Sequence, residues 1–330
     1  MKNIARRTLL RWTAATAALP LAPRLSQAQN FPARPIRMIV GFAAGSGLDV
    51  YARLIAQAMA ERLGQNIAVE NRLGAGGNVA AEAVVNAPPD GYTILMASTA
   101  VFTNPWLYDN LGFDFIRDIA PVGSVTKSAF IFVTDPAFAA KTGAGTLPEF
   151  IAYAKANPGK LAYGSAGTGT VTHIAAELFK MMAGIDMVHV PYRGEPPALN
   201  DLMGGRIQMN VGTLAGSGEF IRAGKLSALA VTTAQRSDMF PDVPAVAEFL
   251  PGYEASLWNG IGAPRATPPE IIAKLNAALN GGLDDPKIKA QFAALGGVTA
   301  PITPAEYGRV IASETEKWGK VIRAAGIKAE

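Results

Sequence analysis

The residues best placed to act together lie in three glycine-rich stretches. These are residues 41–47 (G-F-A-A-G-S-G), 71–78 (N-R-L-G-A-G-G-N) and 165–170 (S-A-G-T-G-T). Each follows a short apolar run and precedes a helix-like one. Glycine lets the backbone approach a ligand closely, and the first N–H groups of a helix are free to meet an anion. The first stretch carries Ser46, with Asp49 just inside the helix. The third carries Ser165, Thr168 and Thr170, with Thr172 beyond, all hydroxyls able to hydrogen-bond a carboxylate. Any one of these loops is equally explained by tight turn packing. Two of them in separate units favour binding between the units.

Bond-making chemistry finds less support. Gly45-Ser46-Gly47 is followed by Val50, and Gly167-Thr168-Gly169 by Thr172, where a dinucleotide fingerprint needs a third glycine. Gly159-Lys160 and Gly224-Lys225 each precede Leu, so neither completes a phosphate-binding P-loop. There is no G-x-S-x-G elbow. The absence of cysteine removes disulfides, thiolate metal ligands and a cysteine nucleophile. The two histidines, His173 and His189, are too few for a histidine-rich metal site. His173 begins a helix and reads either as a general base or as a packed, capping residue. His189 sits in an apolar strand and reads as structural.

Other side chains stay open between two roles. Trp106, Trp258 and Tyr192 either line a cleft or fill a core. Ser98, at a strand end, either faces the cleft or caps a turn. Arg193 either clamps a carboxylate or lies in solvent. Asn71 and Arg72 brace the second loop or touch ligand, and Lys317, Lys320 and Arg323 read as a solvated helix face.

The surrounding pattern supplies the elements that would position these residues. Strand-like runs at 36–40, 67–70 and 93–97 alternate with helical spacing at 48–63 and 79–86, which predicts a parallel sheet with helices. The kind of pattern then repeats. Strands are predicted at 130–133, 161–164, 187–190, 207–211 and 226–231. Helices are predicted at 147–155, 171–182, 198–203 and 219–223, with further helices at 268–279 and 304–323. The reading is two α/β units, whose ligands bind beyond the carboxyl ends of the strands.

The chain has 330 residues, 49% hydrophobic and 17% charged, a composition that excludes a disordered chain and suits about two domains. Residues 1–28 read as a signal peptide: Lys2, Arg6, Arg7 and Arg11, an apolar stretch over 9–21, then Ser26-Gln27-Ala28 as a cleavage site. Arg6-Arg7 also fits a twin-arginine signal, so Sec and twin-arginine export both stand. The segment holds five basic residues and no acidic one, so its removal takes the formal charge from +4 to −1. A basic nucleic-acid surface is therefore not expected. No later stretch is apolar enough to insert in a membrane.

In sequence order, P-I-R-M-I-V at 35–40, A-G-S-G-L-D at 44–49, V-E-N-R-L-G-A-G-G at 69–77 and P-D-G-Y-T at 89–93 are followed by G-T-G-T at 167–170 with His173. V-P-Y-R-G at 190–194 and the stretch from Ala223 to Thr232 continue the series. This ordered set resembles the Bug family of periplasmic solute receptors, the TctC-like binding components of tripartite tricarboxylate transporters. The resemblance implies a type II periplasmic-binding-protein fold of the α/β class, a Venus flytrap with two domains around a cleft. Domain 1 is expected to be discontinuous, 31–128 with 255–330, and domain 2 to span 129–254. The implied protein is not an enzyme and needs no metal or cofactor. It is a monomer in the periplasm that passes a small mono- or dicarboxylate to membrane transporter subunits. The ligand would be held by Phe42, Ala43, Ala44, Gly45, Ser46 and Asp49, partly through water, by Ser98, and by Gly167, Thr168, Gly169, Thr170 and His173. Tyr192, Arg193 and Gly194 would close the far end. Many relatives carry an acid where this chain has Gly212, which favours a plain carboxylate over an amino acid. The competing readings are an exported hydrolase or isomerase using Asp49 and His173, and a ligand-sensing partner of a signalling protein.

Overall fold

A computed structural model describes residues 31–108 and 111–328; the expected signal peptide lies outside them. The first half runs β1 (Ile36–Val40), α1 (Gly47–Leu63), β2 (Ile67–Asn71), α2 (Asn78–Val85), β3 (Thr93–Ser98), α3 (Thr99–Thr103) and α4 (Phe115–Asp118). Next come β4 (Ile119–Thr134), α5 (Pro136–Thr142), α6 (Leu147–Ala156), β5 (Ala162–Ser165), α7 (Val171–Ala183), β6 (Val188–Pro191) and α8 (Glu195–Met203). The chain continues through β7 (Met209–Thr213), α9 (Leu214–Arg222), β8 (Ser227–Val231), β9 (Ser256–Pro264) and α10 (Pro269–Leu283). It ends with α11 (Pro286–Ala294), β10 (Gly297–Thr299) and α12 (Pro304–Ala325).

The strands pair in the order β2-β1-β3-β9-β4-β7-β5-β6, with β8 and β10 also on β4. The expected parallel pairing holds within each α/β unit: β1 is parallel to β2 and β3, and β5 to β6 and β7. Between these groups the sheet is antiparallel. β9 runs antiparallel to β3 and to the first part of β4, and the end of β4 pairs antiparallel with β7 and β8. The parallel expectation holds within each unit, and the sheet that joins the units is mixed. The first part of β4 and all of β9 escape a sequence reading because Pro121, Gly123, Gly260 and Gly262 look like turn residues. In the fold they mark close approaches. A Cβ at Gly262 would meet Ile119 at 2.5 Å, one at Gly123 would meet Asn276 at 2.7 Å, and one at Gly260 would strike the Tyr307 ring.

Alternation along the strands builds the cores. Ile36, Met38 and Val40 pack on one side of β1 with α1 and α10, while Ile39 packs on the other with α2 and Tyr307. In the second unit Phe130 and Phe132 face Tyr163, Phe150 and Phe179, and Ile131 and Val133 face Leu199 and Leu202. Helix α12 serves both units: Tyr307 and Ile311 lie in a first-unit core, whereas Trp318, Val321 and Ile322 lie in the second-unit core. Its 22 residues span about 33 Å, long enough to cross from one to the other. The segment 255–330 therefore does not serve the first unit alone.

Candidate functional site

The loop after β1 is fixed by one buried carboxylate. Asp49 is 1% exposed. Its Oδ2 accepts from the Gly45 N–H (2.9 Å) and Arg53 Nε (2.9 Å), its Oδ1 from Arg53 Nη2 (3.0 Å) and Asn71 Nδ2 (2.8 Å). Asn71 Nδ2 also donates to the Phe42 carbonyl (2.8 Å). Burial alone would raise the Asp49 pKa, but the hydrogen bonds from Arg53, Gly45 and Asn71, with the Arg53 charge, hold it below the usual value. The acid therefore stays ionised and locks residues 42–45 against the start of α1, whose N-cap is Ser46. Asn71 braces this first loop. The loop at 74–77 is held instead by Asn104, which donates to the Gly76 carbonyl (3.3 Å) and to Asn78 Oδ1 (2.5 Å). Asn104 carries no motif, and its partnership with Asn78 was invisible in the sequence. Ser98 ends β3 as the N-cap residue of α3, with no cap bond from its side chain.

The loop after β5 is more densely bonded. Ser165 Oγ lies 2.7 Å from His189 Nε2, and the Gly169 N–H donates to His173 Nδ1 at 3.0 Å. Thr170 Oγ1 donates to the Gly167 carbonyl (2.7 Å) and caps α7 by accepting from the His173 N–H, while Thr172 Oγ1 accepts from the Ala166 N–H (3.0 Å). The next loop runs alongside: the Tyr192 and Gly194 N–H groups donate to the carbonyls of Ser165 and Ala166. Burial lowers both imidazoles to about 4, helped at His173 by the Lys180 charge and at His189 by His173 and Lys180. His173 is therefore a neutral, 5% exposed acceptor tied to the loop backbone. The structure commits its Nδ1 to Gly169, which is the packed, capping reading.

Two hydroxyls expected in the site, those of Thr168 and Ser98, have no hydrogen-bond partner among the described residues. Arg193 is exposed and has neither ion pair nor hydrogen bond there. Tyr192 is turned elsewhere: its hydroxyl donates to Asp201 (2.8 Å), and burial with that bond pushes its pKa up to about 12. Trp106 and Trp258 brace the fold. Trp106 Nε1 donates to the Thr315 carbonyl (3.0 Å) with the Arg323 guanidinium 4.2 Å above its ring, and Lys127 sits 5.2 Å from the Trp258 ring. Arg323 and Lys317, which is paired with Glu314, therefore do more than cover a solvated face. The 165–170 loop approaches the segment that follows α3, where a Cβ on Gly169 would stand 3.2 Å from Leu107.

One acid escaped the sequence reading. The Glu195 carboxylate accepts from the Thr213 N–H (3.0 Å), Thr213 Oγ1 (2.8 Å) and Ser217 Oγ (3.0 Å), and burial raises its pKa. It lies against Gly212 and Gly216, where a Cβ on either would collide with it. The argument from the missing acid at 212 is thereby corrected: the fold brings a carboxylate to that place from residue 195. Only the two glycines with no side chain could have hinted at it.

The profile of the tripartite tricarboxylate transporter family receptor, TctC, matches residues 51–327. The chain belongs to the TctC family. BugT of Bordetella pertussis is 36% identical to this TctC receptor over 304 residues, covering 91% of the chain and 92% of BugT. Among solved structures, R. palustris Rpa4515 with adipate is 33% identical with a TM-score of 0.76, covering 90% of this chain and 99% of that one. MatC from Rhodopseudomonas palustris with bound malate is 31% identical with a TM-score of 0.72, covering 88% and 100%. The TctC receptor thus has the two-domain α/β periplasmic-binding-protein fold, and the family is one of periplasmic solute receptors, not enzymes. Among the described residues no group of acidic or histidine side chains could hold a metal ion, and no helix is long and apolar enough to cross a membrane.

Proposed function

We propose that this TctC receptor closes two domains, 31–128 with most of 255–330 and 129–254, on a small organic carboxylate and delivers it to membrane transporter subunits. The observation that carries this reading is the pair of braced loops, 42–46 and 165–170, each ending at a helix N-terminus where backbone N–H groups favour an anion. The locked Asp49 network keeps the first loop's backbone in place, and bridging water there serves nearly as well as direct contact. Thr168 and Ser98 supply hydroxyls without a partner among the described residues, and Arg193 a guanidinium likewise unpaired there and suited to a second carboxylate. Adipate and malate in the two similar proteins agree with a dicarboxylate. Glu195 adds a reason to include amine-bearing acids, because its carboxylate would pair with an ammonium. Closure requires contacts with both domains, since a ligand held by one alone shifts no equilibrium.

The test is thermal unfolding of the mature protein against mono-, di- and tricarboxylates and amino acids. A ligand at 100 times its dissociation constant adds about 2.7 kcal/mol, which raises the midpoint by about 5 °C or more. A shift confined to one class names the ligand. A blank panel, repeated after unfolding, dialysis and refolding to strip copurified ligand, sinks the carboxylate reading.

A further inference from the structure

The chain has two histidines, and the fold stacks them. The rings of His173, in the first turn of α7, and His189, in β6, lie with centroids 3.7 Å apart and planes 10° from parallel. Tyr163 of β5 stacks on His189 at 4.9 Å. Each imidazole holds a different part of one loop: His189 Nε2 meets Ser165 Oγ at its start, and His173 Nδ1 accepts from Gly169 near its end. A neutral ring that accepts at Nδ1 carries its proton on Nε2. We propose that the His173–His189 stack is the positioning device of the 165–170 loop, and that it holds the loop in its binding shape only while both rings are neutral. The proposal rests on the reading that this loop grips the carboxylate.

The chemistry follows from the donor count. A proton on His173 Nδ1 turns the acceptor for Gly169 into a second donor, and the bond is lost. A proton on His189 sets a cation against a ring 3.7 Å away, so a second proton is opposed by the first. The charged groups facing the rings do not relieve this. Glu177 of α7 favours a charge on His189, but it is engaged by Lys180 (2.8 Å) and by the Tyr163 hydroxyl (2.5 Å). Lys180 opposes a charge on either ring. On α12, which packs against α7, Glu314 and Lys317 are paired with each other. The lowered pKa of both rings agrees with this arrangement. Neutral rings at the pH of growth keep the loop set, and acid releases it along with whatever it holds.

With two imidazoles in a tag-free chain, nitrogen NMR reads the device directly. From pH 8 to 4, His173 should show the Nε2–H tautomer, both rings should titrate well below 6.5, and the Gly169 amide resonance should move with the His173 midpoint. His173→Asn places an acceptor near the Nδ1 position without a titrating proton. It should restore most of the Gly169 amide protection that His173→Leu loses, and its Gly169 signal should no longer follow pH. For adipate, malate or another acid that stabilises the protein at pH 7.5, affinity corrected for the acid's own protonation should weaken about tenfold per pH unit below the imidazole midpoint. That slope should flatten in His173→Asn. An Nδ1–H tautomer, titration near 6.5, or a Gly169 amide indifferent to pH overturns the proposal; these readings stand even where the Leu variant does not fold. Failure of every acid to bind at pH 7.5 would instead remove the carboxylate reading, and the NMR would still decide the stack.

Discussion

Single side chains here act mostly by holding backbone. Asp49 is the clearest case: four donors converge on it, and one is the N–H of Gly45 in the loop expected to face ligand. Asp49→Ala leaves the Gly45 N–H and Arg53 Nε without this acceptor, while Asn71 keeps the Phe42 carbonyl, a loss of about 1–3 kcal/mol. The variant should unfold at lower temperature and bind the selected acid at least about tenfold more weakly, a 1.4 kcal/mol effect. Unchanged affinity in calorimetry would remove the first loop from the site. Arg193 has no ion pair or hydrogen bond among the described residues, so Arg193→Gln should leave the unfolding midpoint in place while weakening a dicarboxylate more than a monocarboxylate. Equal losses for both would take Arg193 away from the second carboxylate. That these loops end at capped helix N-termini was legible from residue type and position, as glycines and hydroxyls before a helix. The Glu195 seat was not. Its partners lie at Thr213 and Ser217, 18 and 22 residues away, and no local pattern encodes such a contact.

At the scale of elements, glycine misleads a sequence reader whenever it serves contact instead of turning. β9 reads S-L-W-N-G-I-G-A-P, yet its burial is nearly continuous from Asn259 onward. Gly260 leaves room for the Tyr307 ring of α12, and Gly262 for Ile119 of β4. Gly260→Ala should therefore overpack the first-unit core and cost about 1–3 kcal/mol. Chemical denaturation would show it as a lower midpoint with an unchanged slope. A neutral result would mean that Tyr307 can swing aside. The helices are easier to read, because their ends announce themselves. Thr146 with Glu149 and Thr303 with Glu306 form capping boxes, and Gly64, Gly184 and Gly326 close helices in the left-handed region.

On the scale of the whole molecule, two acid-sensitive groups act in the same direction. A histidine held neutral at about 4 in the folded state and near 6.5 when unfolded takes up protons first in the unfolded chain. Its full stability is present above 6.5 and is lost as pH falls towards 4. Asp49, lowered by its partners, adds a loss at still lower pH as it protonates. The unfolding midpoint should thus be flat above about pH 7 and fall steadily below about 6.5; a midpoint constant from pH 7 to 4 would contradict the neutral pair. Export makes a separate prediction. If residues 1–28 are removed, intact mass should place Gln29 at the mature N-terminus, and Lys at both Arg6 and Arg7 should block export only under the twin-arginine route.

The chain by itself determined the two α/β units, the loops at strand ends and the family, because these follow from local periodicity, turn chemistry and an ordered set of short motifs. Tertiary structure alone decided the antiparallel joining of the units through β4 and β9, the two-core span of α12, the commitment of Asp49 and His173 to backbone, and the delivery of Glu195 to the space over Gly212. Asp49 and His173 meet backbone only four residues away, whereas the joining of the units, the span of α12 and the Glu195 seat depend on groups distant in sequence sharing one small volume. That is set by packing, and packing leaves its mark on the sequence only as a missing side chain.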